Sequence, residues 1–300
     1  MSTQTEAENA LLQRSWPLAL GFGAAQVIAG IIFFFAYNWR DLPDVAKIAL
    51  PQCVLVAAFL VWVAFPGKRH VARIAGIVAS AMIGVSMAVV GQVYQLGADP
   101  WRLFATWAAL VFVIAAATRD DAQFVFSFAI ATIAYFLYTD QEVAQYLQNA
   151  STKIYAVYVV LGVVALLFRE FLGAGAPPWV RRLLVASVLV AAVSGGLTDI
   201  LARSLFDNGF YATLALFCAV CLFVWLYRSW RPDAPSCAMA LFSAAAYLGV
   251  LGPRFLFTVD LDGSVDVAGR LLLSAMWILG LTAGLAHILR RFLKSPERFG

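Results

Sequence analysis

Ten runs of predominantly apolar residues, parted by short stretches that hold most of the charges and turn formers, constrain this 300-residue chain more than any motif does. They cover 16–37, 45–65, 71–94, 101–118, 122–138, 153–168, 180–199, 209–227, 238–258 and 268–290. Each comes near the roughly 20 residues that carry an α-helix across a bilayer core. None shows the period-two alternation of a membrane barrel strand. Only 13% of the residues are charged and 63% are hydrophobic, whereas soluble domains carry about 25% charged residues. Too few polar residues exist to cover so much apolar surface, so the solvent is a bilayer. The expected fold class is all-α, a polytopic integral membrane bundle of about ten transmembrane helices.

The same inventory excludes other classes. The net charge of +4 is small and the basic residues sit at segment ends, so there is no stripe for nucleic acid. Four cysteines in a bilayer protein do not make a secreted disulfide scaffold. Residues 1–15 carry Glu6 and Glu8 and lack the basic start and small-residue cleavage site of a secretory signal. They are expected to be a cytoplasmic N-terminal segment. Ten spans place 14 of the 21 basic residues on the side of the two termini, among them Arg69, Arg119, Arg169, Arg181, Arg182, Arg231 and Arg290. The positive-inside rule then makes both termini cytoplasmic. The expected organisation is a five-helix half over 16–138, an outside loop over 139–152, a second five-helix half over 153–290 and a basic tail over 291–300. The loop could form a short interfacial helix on Val143, Tyr146 and Leu147.

Polar residues gather in the N-terminal half. In the third segment Gly76, Ser80, Gly84 and Ala88 recur every four residues and share one helical face, which lets another backbone approach closely. Gln92 continues that row, and Gln95 and Asp99 lie beyond it. Gln92 reads either as an interhelical hydrogen-bonding group or as part of a ligand pathway. In the first segment Gln26 lies mid-span between Gly23 and Gly30, where an amide needs a partner such as Gln52 or a ligand. Two outside loops are dense in aromatic, amide and charged groups. One holds Tyr37, Asn38, Trp39, Arg40 and Asp41; the other holds Tyr94, Gln95, Asp99, Trp101 and Arg102. Pairs such as Arg40 with Asp99 or Arg102 with Asp41 would tie them into a cap. An ordinary aromatic belt would look similar.

The pattern FAYNW at the end of the first segment, with GQVYQLGADPWRLFATWAAL after the third, resembles the bacterial predicted membrane proteins grouped as domain of unknown function 2157. The resemblance runs over roughly residues 10–150. It implies a bacterial inner-membrane location and brings no activity, cofactor or catalytic residue with it.

Elsewhere the signals are thinner. Arg254 follows Gly252-Pro253; it is an intramembrane charge if the ninth helix continues and an interfacial one if the helix stops there. Asp199 could pair with Arg203 one turn on. Cys218 and Cys221 form a CxxC among Phe, Val and Leu, which reads as packing rather than redox chemistry. Asp260, Asp262, Ser264 and Asp266 alternate like calcium ligands but lack the glycine and glutamate that such a loop requires. Gly280 and Gly284 make a close-packing pair in the last segment. No metal or cofactor is expected.

Three functions fit. A transporter or permease for a small polar solute or lipid headgroup, with a site between the first and third helices open to the outside, ranks ahead of a non-catalytic scaffold or cell-envelope subunit. The scaffold would dock an envelope protein or a second copy. An intramembrane enzyme on lipid-linked substrates, using Asp41, Asp44 and Asp99, ranks third. No mid-span carboxylate is available for proton coupling, which counts against the transporter.

Overall fold

A computed structural model describes residues 26, 37, 39–65, 67–97, 99–146, 150–172, 177–201, 211–258 and 266–293. Among them are nine helices long and apolar enough to cross a membrane, and no strand. We number them α1 (Asp44–Ala64), α2 (Arg69–Val93), α3 (Pro100–Thr118), α4 (Asp121–Tyr138), α5 (Ala150–Leu172), α6 (Pro178–Leu201), α7 (Tyr211–Trp225), α8 (Ala234–Thr258) and α9 (Val267–Leu293). They correspond to the second to tenth apolar segments. The first segment lies outside the described residues except for Gln26 and Tyr37, both helical and exposed. Helical geometry follows from the solvent: in hydrocarbon every backbone N–H and C=O must be satisfied within its own segment.

Two helices run past their apolar limits. α4 continues through a π-type turn over Thr139–Val143, and α7 through another over Leu226–Trp230. The first occupies the start of the loop over 139–152. The described part of that loop is a continuation of α4, a turn at 144–146 and, from Ala150, the start of α5; Leu147 of the expected interfacial helix lies outside the described residues.

The chain divides into two compact units, Met1–Asp99 and Pro100–Gly300. In the first, α1 packs on α2. The covered residues of α2 include Ala75, Gly76, Ala79, Ser80, Gly84 and Val89, so the small-residue face is a packing seam over most of its length. Its last member, Ala88, is exposed.

In the second unit α3 and α4 form a close hairpin. Ala108, Val111 and Ile130 make its core, and Ser127 Oγ donates to the Ala108 carbonyl at 2.9 Å. The main core surrounds α6, whose buried residues include Val185, Val188, Ala192, Gly195 and Gly196. α5, α7 and α8 all pack on α6. Small residues allow this: a Cβ on Gly195 would stand 2.5 Å from Tyr155 Cβ and 2.8 Å from Ala212 Cβ. Between lipid-solvated helices the hydrophobic effect offers little attraction, and such close contact is what holds them together. α9 lies against α8 and exposes most of its length.

Candidate functional site

At one end of the second unit the ends of four helices are joined by buried charge. Glu170, in the last turn of α5, is 2% exposed; its Oε1 accepts from Arg181 Nε at 2.6 Å and its Oε2 from Arg231 Nη1 at 2.9 Å. A carboxylate at a helix C-terminus opposes the helix dipole, and the two guanidinium groups offset that penalty. Next to it Asp233 takes a bidentate bond from Arg182, Nη2 to Oδ1 at 2.8 Å and Nε to Oδ2 at 3.3 Å. Asp233 also caps α8, accepting from Ser236 Oγ at 2.5 Å and Ser236 N at 3.2 Å. Burial pushes the Asp233 carboxyl up, but Arg182 and Ser236 together outweigh it and hold the group below the usual carboxylate range. Arg169, one residue from Glu170, reaches across to Asp121 at the start of α4. The Tyr227 ring lies under the Arg181 guanidinium, 5.8 Å from its centroid. This ionic girdle ties α5, α6, α8 and the end of α7.

At the opposite end of α6 sits a smaller polar group. Asp199 is 3% exposed. Its Oδ2 accepts from Thr213 N at 2.8 Å and Thr213 Oγ1 at 2.9 Å, and Thr213 Oγ1 lies 2.9 Å from Tyr247 Oη. Asp199 therefore turns toward the first turn of α7; Arg203, its expected partner, lies outside the described residues. Its other oxygen, Oδ1, is buried with no hydrogen-bond partner among the described residues, and the Ala212 N–H also faces the carboxylate.

The residues expected to form a site are placed as follows. Gln92 lies one residue before the end of α2 and is exposed, as are Tyr94 and Gln95. Gln95 (φ 48°) and Gly97 (φ 55°) turn the chain sharply there, and Asp99 is half-buried. Trp39 is half-buried, with Lys47 Nζ 6.0 Å from its ring centroid; the same Lys47 pairs with Asp44 at 3.1 Å. Arg40 and Asp41 are exposed, Gln26 and Gln52 likewise, and Asn38 lies outside the described residues. Trp101 and Arg102 begin α3. Trp101 Nε1 donates to Glu142 Oε1 at 3.3 Å and meets Tyr138 edge-on, while Arg102 lies over the Trp101 ring. Arg254 belongs to a helix that passes through Pro253 and ends at Thr258, so the charge lies inside the apolar helix, one turn from its end.

Other expectations resolve as well. Cys218 and Cys221 are free and exposed on α7, so they lie on an outward face, whereas the buried cysteine is Cys237. Asp266 caps α9, its Oδ1 accepting from Gly269 N at 2.8 Å; Asp260, Asp262 and Ser264 lie outside the described residues. Among the described residues no three His, Cys, Asp or Glu side chains gather as a metal site.

Sequence reading missed Glu170, Asp233, Thr213 and Tyr247. Two of them carried a local signal. Asp233-Ala-Pro-Ser is a helix start with its cap, and a glutamate in the last turn of a helix calls for a cationic neighbour. Thr213 and Tyr247 had none, because their meeting depends on how α7 and α8 pack.

Among the described residues, nine apolar helices with charge gathered toward their ends define a polytopic helical membrane protein. Residues 2–124 match the family model described as Predicted membrane protein (DUF2157). The match begins ahead of the expected resemblance and ends within α5's predecessor, α4; most of the second unit lies beyond it. No curated protein and no solved structure matches the chain.

Proposed function

We propose that the protein is a transporter or permease for a small polar solute or lipid headgroup, with its polar site in the N-terminal unit around Gln26, Gln92 and Gln95. The observation that carries this reading is the exposure of Gln92 at the end of a seam whose Gly76, Ser80 and Gly84 are buried. Among the described residues this amide is uncovered, as is Ala88 one turn before it, and it stands beside Tyr94, Gln95 and the half-buried Asp99. The bulk of the basic residues on the side of the termini supports placement in a bacterial inner membrane with both termini cytoplasmic and this site facing outward.

The test is water access. Single cysteines at 26, 92 and 95, in a background lacking Cys53, Cys218, Cys221 and Cys237, are labelled in intact cells with a membrane-impermeant thiol reagent. Labelling at 92 and 26, competed by the transported solute, is the expected result. Protection at both, with labelling at position 41, would remove the transport reading. The scaffold reading rests on a different observation: Gly280 and Gly284 of α9 have open space around them, which suits a partner helix.

A further inference from the structure

We propose that the ionic girdle of the second unit binds the phosphate headgroup of an anionic phospholipid, held by Arg182 and Arg231 beside a shelf of Phe171, Trp225 and Trp230. A guanidinium carries more N–H groups than one carboxylate can take. Arg182 gives two to Asp233 and Arg231 gives one to Glu170. Among the described residues no acceptor takes the rest, and the two side chains are 42% and 37% exposed. Glu170 and Asp233 are themselves buried, so neither arginine can swing away without stranding a carboxylate. The outward donors are thus fixed in place. Among the described residues every cation at this end of the unit is an arginine, the side chain whose planar fork matches a phosphate. From α3 to α8, Arg119 and Arg228 join the four arginines of the girdle and its Asp121 pair, six against Asp120, Asp121, Glu170 and Asp233. That leaves a positive surplus for an anion.

Exposed aromatic surface lies next to these arginines. Phe171 follows Glu170 and Trp230 precedes Arg231; both rings are exposed, with centroids 4.1 Å apart. Trp225 joins them because of the π-type turn over Leu226–Trp230. On an α-helix of 3.6 residues per turn, side chains five residues apart diverge by about 140°. A π-type turn closes its hydrogen bonds over five residues and brings them round to one side. The Arg231 N–H accordingly donates to the Leu226 carbonyl at 2.9 Å, and the Trp225 and Trp230 ring centroids stand 6.5 Å apart. Tryptophan at a helix end sits at the headgroup level of a bilayer. A lipid resting its glycerol and first methylenes on this shelf brings its phosphate to Arg231 and Arg182, and basic sites between helix ends take anionic headgroups in this way.

This site shares no residue with the transport reading and stands or falls without it. The experiment is native mass spectrometry of the purified full-length protein in detergent, titrated with phosphatidylglycerol or with phosphatidylcholine. Phosphatidylglycerol should bind saturably and more tightly than phosphatidylcholine. Arg182→Lys combined with Arg231→Lys keeps both charges and a bond to each carboxylate but gives up the fork, and should weaken phosphatidylglycerol about tenfold. Arg119→Gln, which removes a charge at the same end without touching the girdle, should bind as wild type does. Equal binding of the two lipids would overturn the proposal, and so would wild-type binding by the lysine variant. An equal loss in Arg119→Gln would replace the site by general surface charge. Displacement of the lipid by an equal concentration of inorganic phosphate would make the ligand a free phosphate and overturn the lipid assignment. If the lysine variant is not monodisperse, Trp230→Ala takes its place, and unchanged phosphatidylglycerol binding there overturns the proposal instead.

Discussion

Glu170 and Asp233 show how single carboxylates organise the end of this bundle. Each is buried and each is held by arginine, so removing one leaves a guanidinium without its counter-charge. Glu170→Ala strands both Arg181 and Arg231, and breaking a buried pair in this way costs about 3–5 kcal/mol. Thermal unfolding of the detergent-solubilised variant should start well below wild type, while Glu170→Gln, which keeps the shape and one acceptor, should recover part of the loss. Asp233 gives a pH dependence of known sign. Its folded carboxyl is held below the usual range, so its stabilisation is present above the unfolded value near ~4 and is lost as pH falls through the lower folded value. The thermal midpoint of wild type should therefore drop more steeply below that value than the midpoint of Asp233→Asn.

At the scale of the element, two glycine-bearing helices behave oppositely. α6 uses Gly195 to bring α5 and α7 against it, and a Cβ there would overlap Cβ atoms of Tyr155 and Ala212. Those atoms sit next to backbone and cannot swing aside, so Gly195→Ala should destabilise by about 1–3 kcal/mol. Gly280 of α9 has nothing within 4 Å of such a Cβ. Gly280→Ala should be neutral or stabilise by up to about 1 kcal/mol through helix propensity. Parallel thermal melts of the two variants check both; a loss at Gly280 confined to conditions where the protein is oligomeric would support the scaffold reading. Between α8 and α9 the close approach is made by a side chain: Trp277 Nε1 donates to the Leu248 carbonyl at 2.8 Å, and Gly252 leaves room for the ring. Pro253 lacks an N–H and so removes the helical donor of the Gly249 carbonyl, one residue on from the carbonyl that the indole serves.

For the whole molecule the testable statement is topology. A fluorescent protein fused after Gly300 should be bright and an alkaline phosphatase fused there inactive, since the basic C-terminal residues are expected to be cytoplasmic. The opposite pattern would reverse the orientation and with it the side on which Gln92 opens. Helix positions were legible because a bilayer makes the criterion one-dimensional: a run must be long and apolar, and α3 and α4 begin and end within a residue of their apolar runs. Facing was less legible. α7 is apolar on all sides, so nothing in its pattern told that Cys218 and Cys221 point outward while Phe223 and Tyr227 are fully buried.

The chain's own sequence determined that it is a helical membrane protein, where its described helices run, and that its charges collect at their ends. All of this follows from residue-by-residue transfer between water and hydrocarbon. Which charges meet was decided only in the tertiary structure. Arg181, Arg182 and Arg231 read as interfacial basic residues until α5, α6 and α8 come together and bury Glu170 and Asp233 among them. Asp199 likewise reads as a helix-end carboxylate until α7 supplies Thr213 and α8 supplies Tyr247. Pairings between residues 11 to 61 positions apart depend on helix rotation and crossing, and a lipid-solvated helix encodes those weakly because lipid and protein are nearly equally apolar surroundings.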